Sequence, residues 1–247
     1  MPRHLFIGTA GWSIPRGFAA QCGGPGTHLE RYARRFRGAE INSSFYRSHR
    51  ATTYAKWASC TPSAFQFAVK MPRQITHELA LRRAGPALDQ WLAESAGLGE
   101  HRGPLLVQLP ASHSFDARVA GRFFETLRAR HEGPVVCEPR HASWLAARAD
   151  ALLVRYRVAR VGADPARAPG LERPGGWQGL VYYRLHGSPR TYWSRYDVAF
   201  IDTLAASLDA LGPSTDAWCM FDNTASGAAI ENAQELQLRV DPGATPA

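Results

Sequence analysis

The chain has 247 residues, of which 45% are hydrophobic and 20% are charged. This composition excludes a mostly disordered, fibrous or coiled-coil protein, and the length allows a substantial hydrophobic core. The net charge of +8 favours anionic partners such as nucleic acid, phosphorylated metabolites or acidic proteins, without choosing among them.

Eight short apolar runs recur along the chain and predict buried β-strands. Each run is rich in Val, Ile, Phe or Tyr and is bounded by Gly, Pro or Asp, as buried strands tend to be. In chain order the predicted strands are His4–Trp12, Ala39–Tyr46, Phe65–Pro72, Pro104–Pro110, Pro134–His141, Val158–Asp164, Leu180–Gly187 and Ala217–Thr224.

Segments with helical spacing separate most of these strands. The predicted helices are His28–Phe36, Thr52–Cys60, Pro86–Ala96, Asp116–His131, Ser143–Tyr156, Ser194–Leu211 and Ser226–Leu238. In the fourth helix Asp116 is a candidate N-cap, and Val119, Phe123 and Leu127 form an apolar stripe. The connection Pro165–Gly179 differs, because its many Pro, Gly and Arg residues predict a long loop rather than a full helix.

Eight strand–helix units in about 250 residues are typical of a (β/α)8 barrel. We therefore predict an α/β fold, a single TIM-type barrel over residues 1–240 with an irregular connection after the sixth strand. Residues 241–247 are predicted to form a flexible tail. A doubly wound sheet is the structural alternative, but the chain has no G-x-G-x-x-G or P-loop motif to support it.

Alternation along the strands predicts which side chains point into the barrel. In most strands the apolar set should face the helices. In the sixth strand this rule places Ala159, Val161 and Ala163 outside and Gly162 and Asp164 inside. The other inward polar residues are Glu40, Asn42, Gln66, Lys70, Gln108, Glu138, Arg140, Tyr182, Arg184, His186 and Asp222. Most lie near the carboxyl ends of the strands, where barrel enzymes hold their active sites, so we predict a functional site there.

Lys70, Glu138 and His186 are the candidate catalytic residues. Only two of the 29 basic residues are lysine, so a lysine at an inward strand end indicates a role that arginine cannot fill. Such a lysine can polarise an oxyanion, or act as a base or Schiff-base amine after losing its proton. His186 or Glu138 would move a proton. The alternative for Lys70 is an ordinary ion pair with Glu40 or Glu138, and for the whole set an internal ion-pair network.

A second group of residues is predicted to bind the substrate. It comprises Trp12, Glu40, Asn42, Tyr46, Gln108, Arg140, His141, Arg184, Asp222 and Asn223. Arg140, Arg184 and the loop at 188–190 would hold an anion through charge-assisted hydrogen bonds. Polar amides such as Gln108 would orient hydroxyl groups, and the aromatic rings would stack on a ring of the substrate.

These residues lead to the hypothesis of a metal-independent enzyme that acts on a small phosphorylated or carboxylated molecule. No cofactor is predicted and the reaction class stays open. One alternative is a divalent-metal hydrolase or isomerase, with ligands from Glu40, Glu138, Asp164, His186 and Asp222. Another is a nucleic-acid-binding protein, in which basic and aromatic loops carrying Arg47 and Arg50 would follow a strand of nucleic acid.

The sequence also gives an expectation for the cellular location of the protein. No apolar run approaches the ~18 residues of a membrane span, and the apolar stretch near the start is too short for a secretory signal peptide. We therefore expect a cytoplasmic protein without a membrane partner. The four cysteines are far apart and include no C-x-x-C pair, so neither a disulfide framework nor a zinc ribbon is expected.

Motifs in order over nearly the whole chain resemble the YecE-like family, domain of unknown function 72. They are Ile7–Trp12 (IGTAGW), Glu40–Tyr46 (EINSSFY), Phe67–Lys70 (FAVK), Gln108–Pro110 (QLP), Glu138–Trp144 (EPRHASW), Arg184–Gly187 (RLHG) and Phe221–Thr224 (FDNT). The resemblance implies a TIM barrel but supplies no activity. The chain departs from the family's usual pattern at Pro139, where the family has Phe, and at Asp222, where it commonly has Asn.

Overall fold

A computed structural model describes residues 4–241. Their strands are β1 (Leu5–Ala10), β2 (Gly38–Ile41), β3 (Gln66–Lys70), β4 (Arg102–Gln108), β5 (Val135–Glu138), β6 (Val158–Arg160), β7 (Gly162–Asp164), β8 (Gly175–Gly176), β9 (Leu180–Leu185) and β10 (Asp216–Phe221). Their α-helices are α1 (His28–Ala33), α2 (Ala51–Ser59), α3 (Gly85–Ser95), α4 (Ala117–Arg128), α5 (Ala147–Arg155), α6 (Val198–Asp209) and α7 (Ala228–Val240). Beyond Asp241, the predicted tail lies outside the described residues.

The strands form one sheet that curls into a nearly closed barrel. Its order is β7-β9-β10-β1-β2-β3-β4-β5-β6-β8. β6 and β7 are two halves of one extended run that is interrupted at Val161, and β6 pairs with β5 while β7 pairs with β9. This run joins the two ends of the sheet. All pairings are parallel except that of β8 with β6. The predicted α/β barrel is therefore confirmed.

The predicted elements are present with shifted ends, except that the predicted helix Ser143–Tyr156 is divided into a 3-10 turn at Ala142–Leu145 and α5. Asp116 caps α4 as predicted, because its carboxylate accepts hydrogen bonds from the amides of Arg118 and Val119. β2 ends at Ile41, earlier than predicted, and a short 3-10 turn follows at Ser43–Phe45. The hydroxyl of Ser44 bonds to the carbonyls of Ile41 and Lys70 and fixes this turn against the end of β3.

Two apolar layers surround the strands. The outer layer lies between strands and helices and includes Phe67, Val107 and Phe123. The inner layer fills the barrel and consists of Ala68, Leu106, Val136, Ala159, Val161, Leu180, Tyr182, Trp218 and Met220. Alternation therefore assigns the faces of β3 and β4 as predicted.

The parity predicted for the sixth strand is wrong. Ala159 and Val161 belong to the inner layer. Asp164 points the other way, since its carboxylate accepts a hydrogen bond of 2.8 Å from the hydroxyl of Tyr196, which stacks on Phe200 of α6. Asp164 is therefore not one of the inward acids.

The segment 165–179 explains this reversal. It is a long loop carrying only the two-residue strand β8, as predicted, so a loop rather than a helix lies against the outside of the run at Arg160 and Gly162. Arg160, buried on that side, instead donates hydrogen bonds to the carbonyls of Gly170 and Arg173 at 3.4 and 3.0 Å. A side chain at Gly162 would approach the Glu172 carbonyl to 2.7 Å. A polar and a small residue therefore face outward, and the apolar pair faces inward.

Two further findings concern the chain as a whole. Its four cysteines are free thiols, and Cys137 and Cys219 are buried as small apolar residues. Within residues 4–241, none of the helices combines the length and apolar character that a membrane span requires.

Candidate active site at the carboxyl ends of the strands

Arg184 of β9 is the centre of a buried charge network. Its Nε and Nη2 donate to the two carboxylate oxygens of Glu40 at 2.9 and 2.6 Å. Its Nη1 donates to Glu138 at 2.7 Å, and its Nη2 also reaches Asp222 at 3.1 Å. Burial alone would lower the pKa of Arg184, but the three carboxylates raise it well above its ordinary value. Each guanidinium nitrogen therefore donates to a carboxylate, and within residues 4–241 only the second N–H of Nη1 has no partner.

The network draws its members from four strands. Glu40 is the next-to-last residue of β2 and Glu138 the last of β5. Arg184 is near the end of β9, and Asp222 directly follows β10. The hydroxyl of Tyr182, two residues before Arg184, donates to Glu40 at 2.9 Å. Because parallel strands end at one rim of the barrel, residues far apart in sequence meet there. Charges so deeply buried persist only when each is paired, and here each carboxylate is.

Glu138 stays ionised in this setting. Burial alone would raise its pKa, but Arg184 and Arg140 hold the pKa well below its usual range. The Nε of Arg140 donates to Glu138 at 2.8 Å. The two Nη atoms of Arg140 have no hydrogen-bond partner in the described part of the chain, and 17% of its side chain is exposed. Arg140 therefore keeps both Nη atoms free, whereas every nitrogen of Arg184 already donates to a carboxylate.

His186, just after β9, is held at one ring nitrogen and free at the other. Its Nδ1 lies 3.1 Å from Asp222, while its Nε2 is buried without a hydrogen-bond partner. The nearest carboxylate oxygen to Nε2 belongs to Glu138, at 3.7 Å. Burial alone would raise the pKa of Asp222, but His186 and Arg184 lower it, so this group is an acceptor and Nδ1 carries the proton.

The pKa of His186 itself is raised. Burial would lower it, but the carboxylate of Asp222 at Nδ1 and the carboxylate of Glu138, 3.7 Å from Nε2, raise it above its ordinary value. A small cavity of about 10 Å³, enough for roughly one water molecule, adjoins the ring. Its lining consists of Glu138, Arg140, Ala163, Pro165, Arg167, His186, Thr191 and Tyr192. Tyr192 stands edge-on to His186 at 5.5 Å between ring centroids and partly covers it.

Lys70 ends β3 and is 5% exposed. Its ammonium lies 4.3 Å from the centroid of the Phe45 ring. It forms no ion pair with any carboxylate of residues 4–241, so the predicted alternative of a pair with Glu40 or Glu138 is not formed. Burial, and next the charge of Arg184, lower the pKa of Lys70 to about 8 against the opposing effect of the carboxylates.

Two predicted binding residues lie in packing positions. Trp12 contacts Trp57 and Phe67 edge-on, at 5.2 and 5.8 Å between centroids, in the outer layer between strands and helices. Asn223 is fully buried, and its amide donates to the Ser194 carbonyl and to Asn232 of α7. Side chains at successive positions of a strand end face opposite ways, so Asn223 points outward where Asp222 points inward.

The remaining predicted binding residues lie on the rim. Tyr46 is 77% exposed and contacts Phe45 edge-on. The Oδ1 of Asn42 is buried without a partner, and the side-chain amide of Gln108, next to Glu138 in the sheet, has no protein partner among residues 4–241. The Nδ1 of His141 accepts from the amide of Ser143 and begins a short 3-10 turn.

The sequence patterns do not single out Arg167 and Thr191, which line the cavity together with Tyr192. All three belong to connections that have no strand or helix periodicity. The one feature that could have indicated these residues is their position after β7 and β9, at the carboxyl rim.

The donor set does not favour a metal site. Glu40, Glu138 and Asp222 converge on the guanidinium of Arg184, which occupies the point where a cation would be bound. Asp164, another predicted ligand, points toward Tyr196. Within residues 4–241, no group of three or more His, Cys, Asp or Glu side chains is arranged to hold a metal ion.

A ring of parallel strands with charged side chains gathered at the carboxyl ends defines a TIM-barrel protein. Residues 6–246 match the family model described as "Protein of unknown function DUF72". The chain belongs to this family, as the resemblance of its motifs indicated.

Individual relatives agree with this assignment. The UPF0759 protein YecE of Escherichia coli K12 is 31% identical over 108 residues, which are 44% of this chain and 38% of that protein. The matched part of this chain therefore spans less than two fifths of the length of that relative. A DUF72 protein of Enterococcus faecalis, EF0366, superposes with a TM-score of 0.81 at 18% identity, covering 96% of this chain and 95% of its own. TM1631 of Thermotoga maritima gives 0.75 at 22% identity, with coverages of 95% and 98%. The two structures support the fold alone.

Proposed function

We propose that this protein is an enzyme that acts on a small anionic molecule at the carboxyl rim of its barrel, with His186 moving a proton and no resident metal. The observation that carries the proposal is the free Nε2 of His186. This nitrogen is buried, has no hydrogen-bond partner and adjoins the cavity, while Nδ1 is fixed by Asp222. A buried polar atom without a partner is costly unless a ligand completes it.

The Asp222–His186 pair has the geometry of a general acid–base. An ionised carboxylate on Nδ1 fixes the tautomer and stabilises the imidazolium, which leaves Nε2 to accept or donate a proton. The raised pKa of His186 means that this site favours the imidazolium more than water does, as an ionised carboxylate beside the ring should. Glu138 is less suited to this role, because its pKa lies well below its usual range. The proposal therefore gives proton transfer to His186, and to Glu138 the stabilisation of positive charge.

An anionic substrate is favoured by the charges around the cavity. Arg140 and Arg167 line it, and the one carboxylate of the lining, Glu138, is already bonded to Arg140 and Arg184. The free Nη atoms of Arg140 suit a carboxylate or phosphate, which a guanidinium binds through paired hydrogen bonds. Arg184 was predicted to bind the anion directly, but its nitrogens are already engaged. Its role in this proposal is to neutralise the carboxylates beneath the cavity.

Paired ligands test the anion requirement. The thermal stability of the protein is measured with glycerol 3-phosphate against glycerol and with lactate against lactamide, and then across a wider set of phosphorylated and carboxylated metabolites. The proposal predicts that anionic members raise the Tm and neutral ones do not. Arg140→Gln should remove the effect, whereas Arg122→Gln, an exposed change on α4, should keep it. Equal shifts in both variants would contradict the proposed site.

Turnover tests the role of His186. Each compound that binds is incubated with the protein and followed by NMR for chemical change. His186→Gln should abolish turnover and Asp222→Asn should reduce it, with folding checked by circular dichroism. Undiminished turnover in His186→Gln would overturn the proposal. Oligonucleotide binding that falls steeply with salt and is lost on neutralising Arg47 and Arg50, without any small-molecule binding, would favour the nucleic-acid alternative.

A further inference from the structure

Lys70 stands apart from the charge network that surrounds it. Both oxygens of Glu40 are bonded to Arg184, and one of them also accepts from Tyr182. The oxygens of Glu138 are bonded to Arg140 and Arg184. These bonds leave no carboxylate oxygen in an ion pair with the ammonium, although the side chain is almost wholly buried at the same rim.

The surroundings of the amine are aromatic and cationic. The face of Phe45 lies against it, and the ring of His77 stands edge-on to Phe45 at 5.1 Å. Burial, and then the charges of Lys70 and Arg140, lower the pKa of His77. Lys70 ends β3 and Arg140 follows β5, so both cations belong to the carboxyl rim. An anion that bridges Lys70 and Arg140 would therefore meet the amine at one end and free guanidinium nitrogens at the other.

The rarity of lysine in this chain gives a second reason to assign Lys70 a specific role. Of its 29 basic residues, only Lys56 and Lys70 are lysine. Lys56 is exposed on α2, whereas Lys70 is buried at the carboxyl rim. Arginine would supply a positive charge at this position equally well, but a guanidinium is not a nucleophile, and a primary amine is.

We propose that Lys70 condenses with the carbonyl carbon of a small anionic aldehyde or ketone to form an imine at the carboxyl rim. This inference rests on the proposed function, because the anionic group of the substrate is assigned to Arg140. It narrows the substrate to compounds that carry a carbonyl and a carboxylate or phosphate.

The chemistry requires no further reagent. The neutral amine attacks the carbonyl carbon, a C–N bond forms, and the C=O electron pair moves to oxygen. A proton passes from nitrogen to that oxygen to give a carbinolamine, and protonation of its hydroxyl releases water. Overall, the ammonium and the carbonyl compound give a protonated imine and one water molecule. The ring face of Phe45 then lies against the cationic imine, as it does against the ammonium.

The environment of Lys70 also allows its side chain to exist as a neutral amine. A lysine pKa of about 8, lowered first by burial and then by Arg184, leaves a substantial fraction of amine unprotonated near neutral pH. An exposed lysine, at about 10.4, is almost entirely protonated there. Lys70 should therefore react faster than Lys56, even though it is the less accessible of the two.

Reductive trapping tests the proposal. The protein is incubated at pH 7.5 with sodium cyanoborohydride and one of three probes. These are glyoxylate, which carries a carboxylate, glyceraldehyde 3-phosphate, which carries a phosphate, and neutral glycolaldehyde. Reduction of an imine leaves a stable secondary amine, which peptide mass spectrometry assigns to Lys56, to Lys70 or to the terminal amine. At least one anionic probe should modify Lys70 tenfold or more faster than Lys56, and glycolaldehyde should show no such preference.

The variants separate this inference from the proposed function. Lys56→Arg should leave trapping at Lys70 unchanged, and Arg140→Gln should slow trapping by the anionic probes. Lys70→Arg should still bind anions in the thermal assay. Modification of Lys56 as fast as Lys70 by both anionic probes would overturn the imine proposal. If anion binding persists in that case, the proposed function survives, and if anion binding is also absent, both fail.

Discussion

Replacing Lys70 by methionine should stabilise the protein. Methionine has a similar length and no charge, so the substitution keeps the packing near Phe45 and removes an ammonium that is buried without an ion pair. A lysine in an ordinary buried salt bridge would behave in the opposite way, because its loss would leave a carboxylate unpaired. The sign of the change in unfolding free energy therefore distinguishes the two situations.

The magnitude follows from the pKa of Lys70. Its fall from 10.5 to about 8 means that the folded protein holds the proton less tightly than the unfolded chain does. At ~1.4 kcal/mol per pH unit, this is a destabilisation of roughly 3 kcal/mol at pH 7. Lys70→Met should recover about 1 to 3 kcal/mol of it, because local relaxation lessens the penalty in the wild type. For a chain of this size the gain corresponds to roughly 2–4 °C in Tm per kcal/mol.

The pH dependence gives a second signature. Between pH 8 and 10.5 the unfolded chain binds more protons at Lys70 than the folded protein does, so wild-type stability rises with pH through this window. The advantage of Lys70→Met is complete below pH 8 and should fade toward pH 10.5. The charged groups that act on Lys70 are Arg184, Glu40, Glu138 and Asp222, and the difference between the two proteins isolates the lysine.

Urea denaturation of both proteins at pH 7, 8.5 and 10 provides the assay, with tryptophan fluorescence as the signal. Lys56→Met, on an exposed face of α2, is the matched control and should change stability by less than ~0.5 kcal/mol. A Lys70→Met protein that is less stable than wild type, by the same amount at every pH, would refute the reasoning.

Three further predictions concern other parts of the barrel. Arg184→Met removes the cation shared by three buried carboxylates and leaves Glu40 without an ion-pair partner among residues 4–241, so it should cost more than ~3 kcal/mol in urea denaturation. A smaller loss would contradict the paired network. Asp222→Asn should lower the pKa of His186 in an NMR titration. The raised pKa of His186 stabilises the folded wild type below pH ~6.5, and this stabilisation is lost as the pH rises through the pKa of the folded protein. The variant should therefore lose most stability at acidic pH. Arg160→Met removes the hydrogen bonds to the loop 165–179 and should speed proteolytic cleavage within that loop, and unchanged cleavage would show that other contacts hold it.

The fold could be predicted from the sequence because the barrel repeats one local pattern. Each apolar run with its flanking Gly or Pro specifies a strand on its own, and the helices between them have clear apolar stripes, as Val119 and Phe123 show in α4. The sixth strand was the exception. Its neighbour on the outside is a loop, so Arg160 finds backbone carbonyls there and the rule that apolar residues face helices no longer applies.

The residues of the candidate site that lie on strands could be predicted from the sequence. Glu40, Glu138, Arg184 and Asp222 follow from strand alternation, and the structure brings them into contact. Which carboxylate forms an ion pair with which cation depends on distances that no sequence pattern encodes. In this barrel the carboxylates pair with Arg184, Arg140 and His186, and Lys70 is left without an ion pair among residues 4–241. Loop residues were harder still, since the path of a connection is set by tertiary contacts.

Those contacts account for two differences between expectation and structure. Trp12 follows β1 and was expected at the rim, but it packs against Trp57 and Phe67 in the outer layer. Arg167 lies in a loop without periodicity, yet it lines the cavity next to His186.

The central claim is that Nε2 of His186 is the proton-moving atom of an anion-binding site, and a nitrogen NMR titration tests it most directly. Protein labelled with ¹⁵N-histidine is titrated from pH 5 to 9, with and without the anionic compound that binds best, and His186 is assigned through His186→Gln. We expect His186 to have a pKa above 6.5 and to keep a proton on Nδ1, and we expect the bound ligand to shift the Nε2 resonance and raise this pKa further. A His186 pKa at or below 6.5, or an Nε2 resonance that the bound anion leaves unchanged, would contradict the claim.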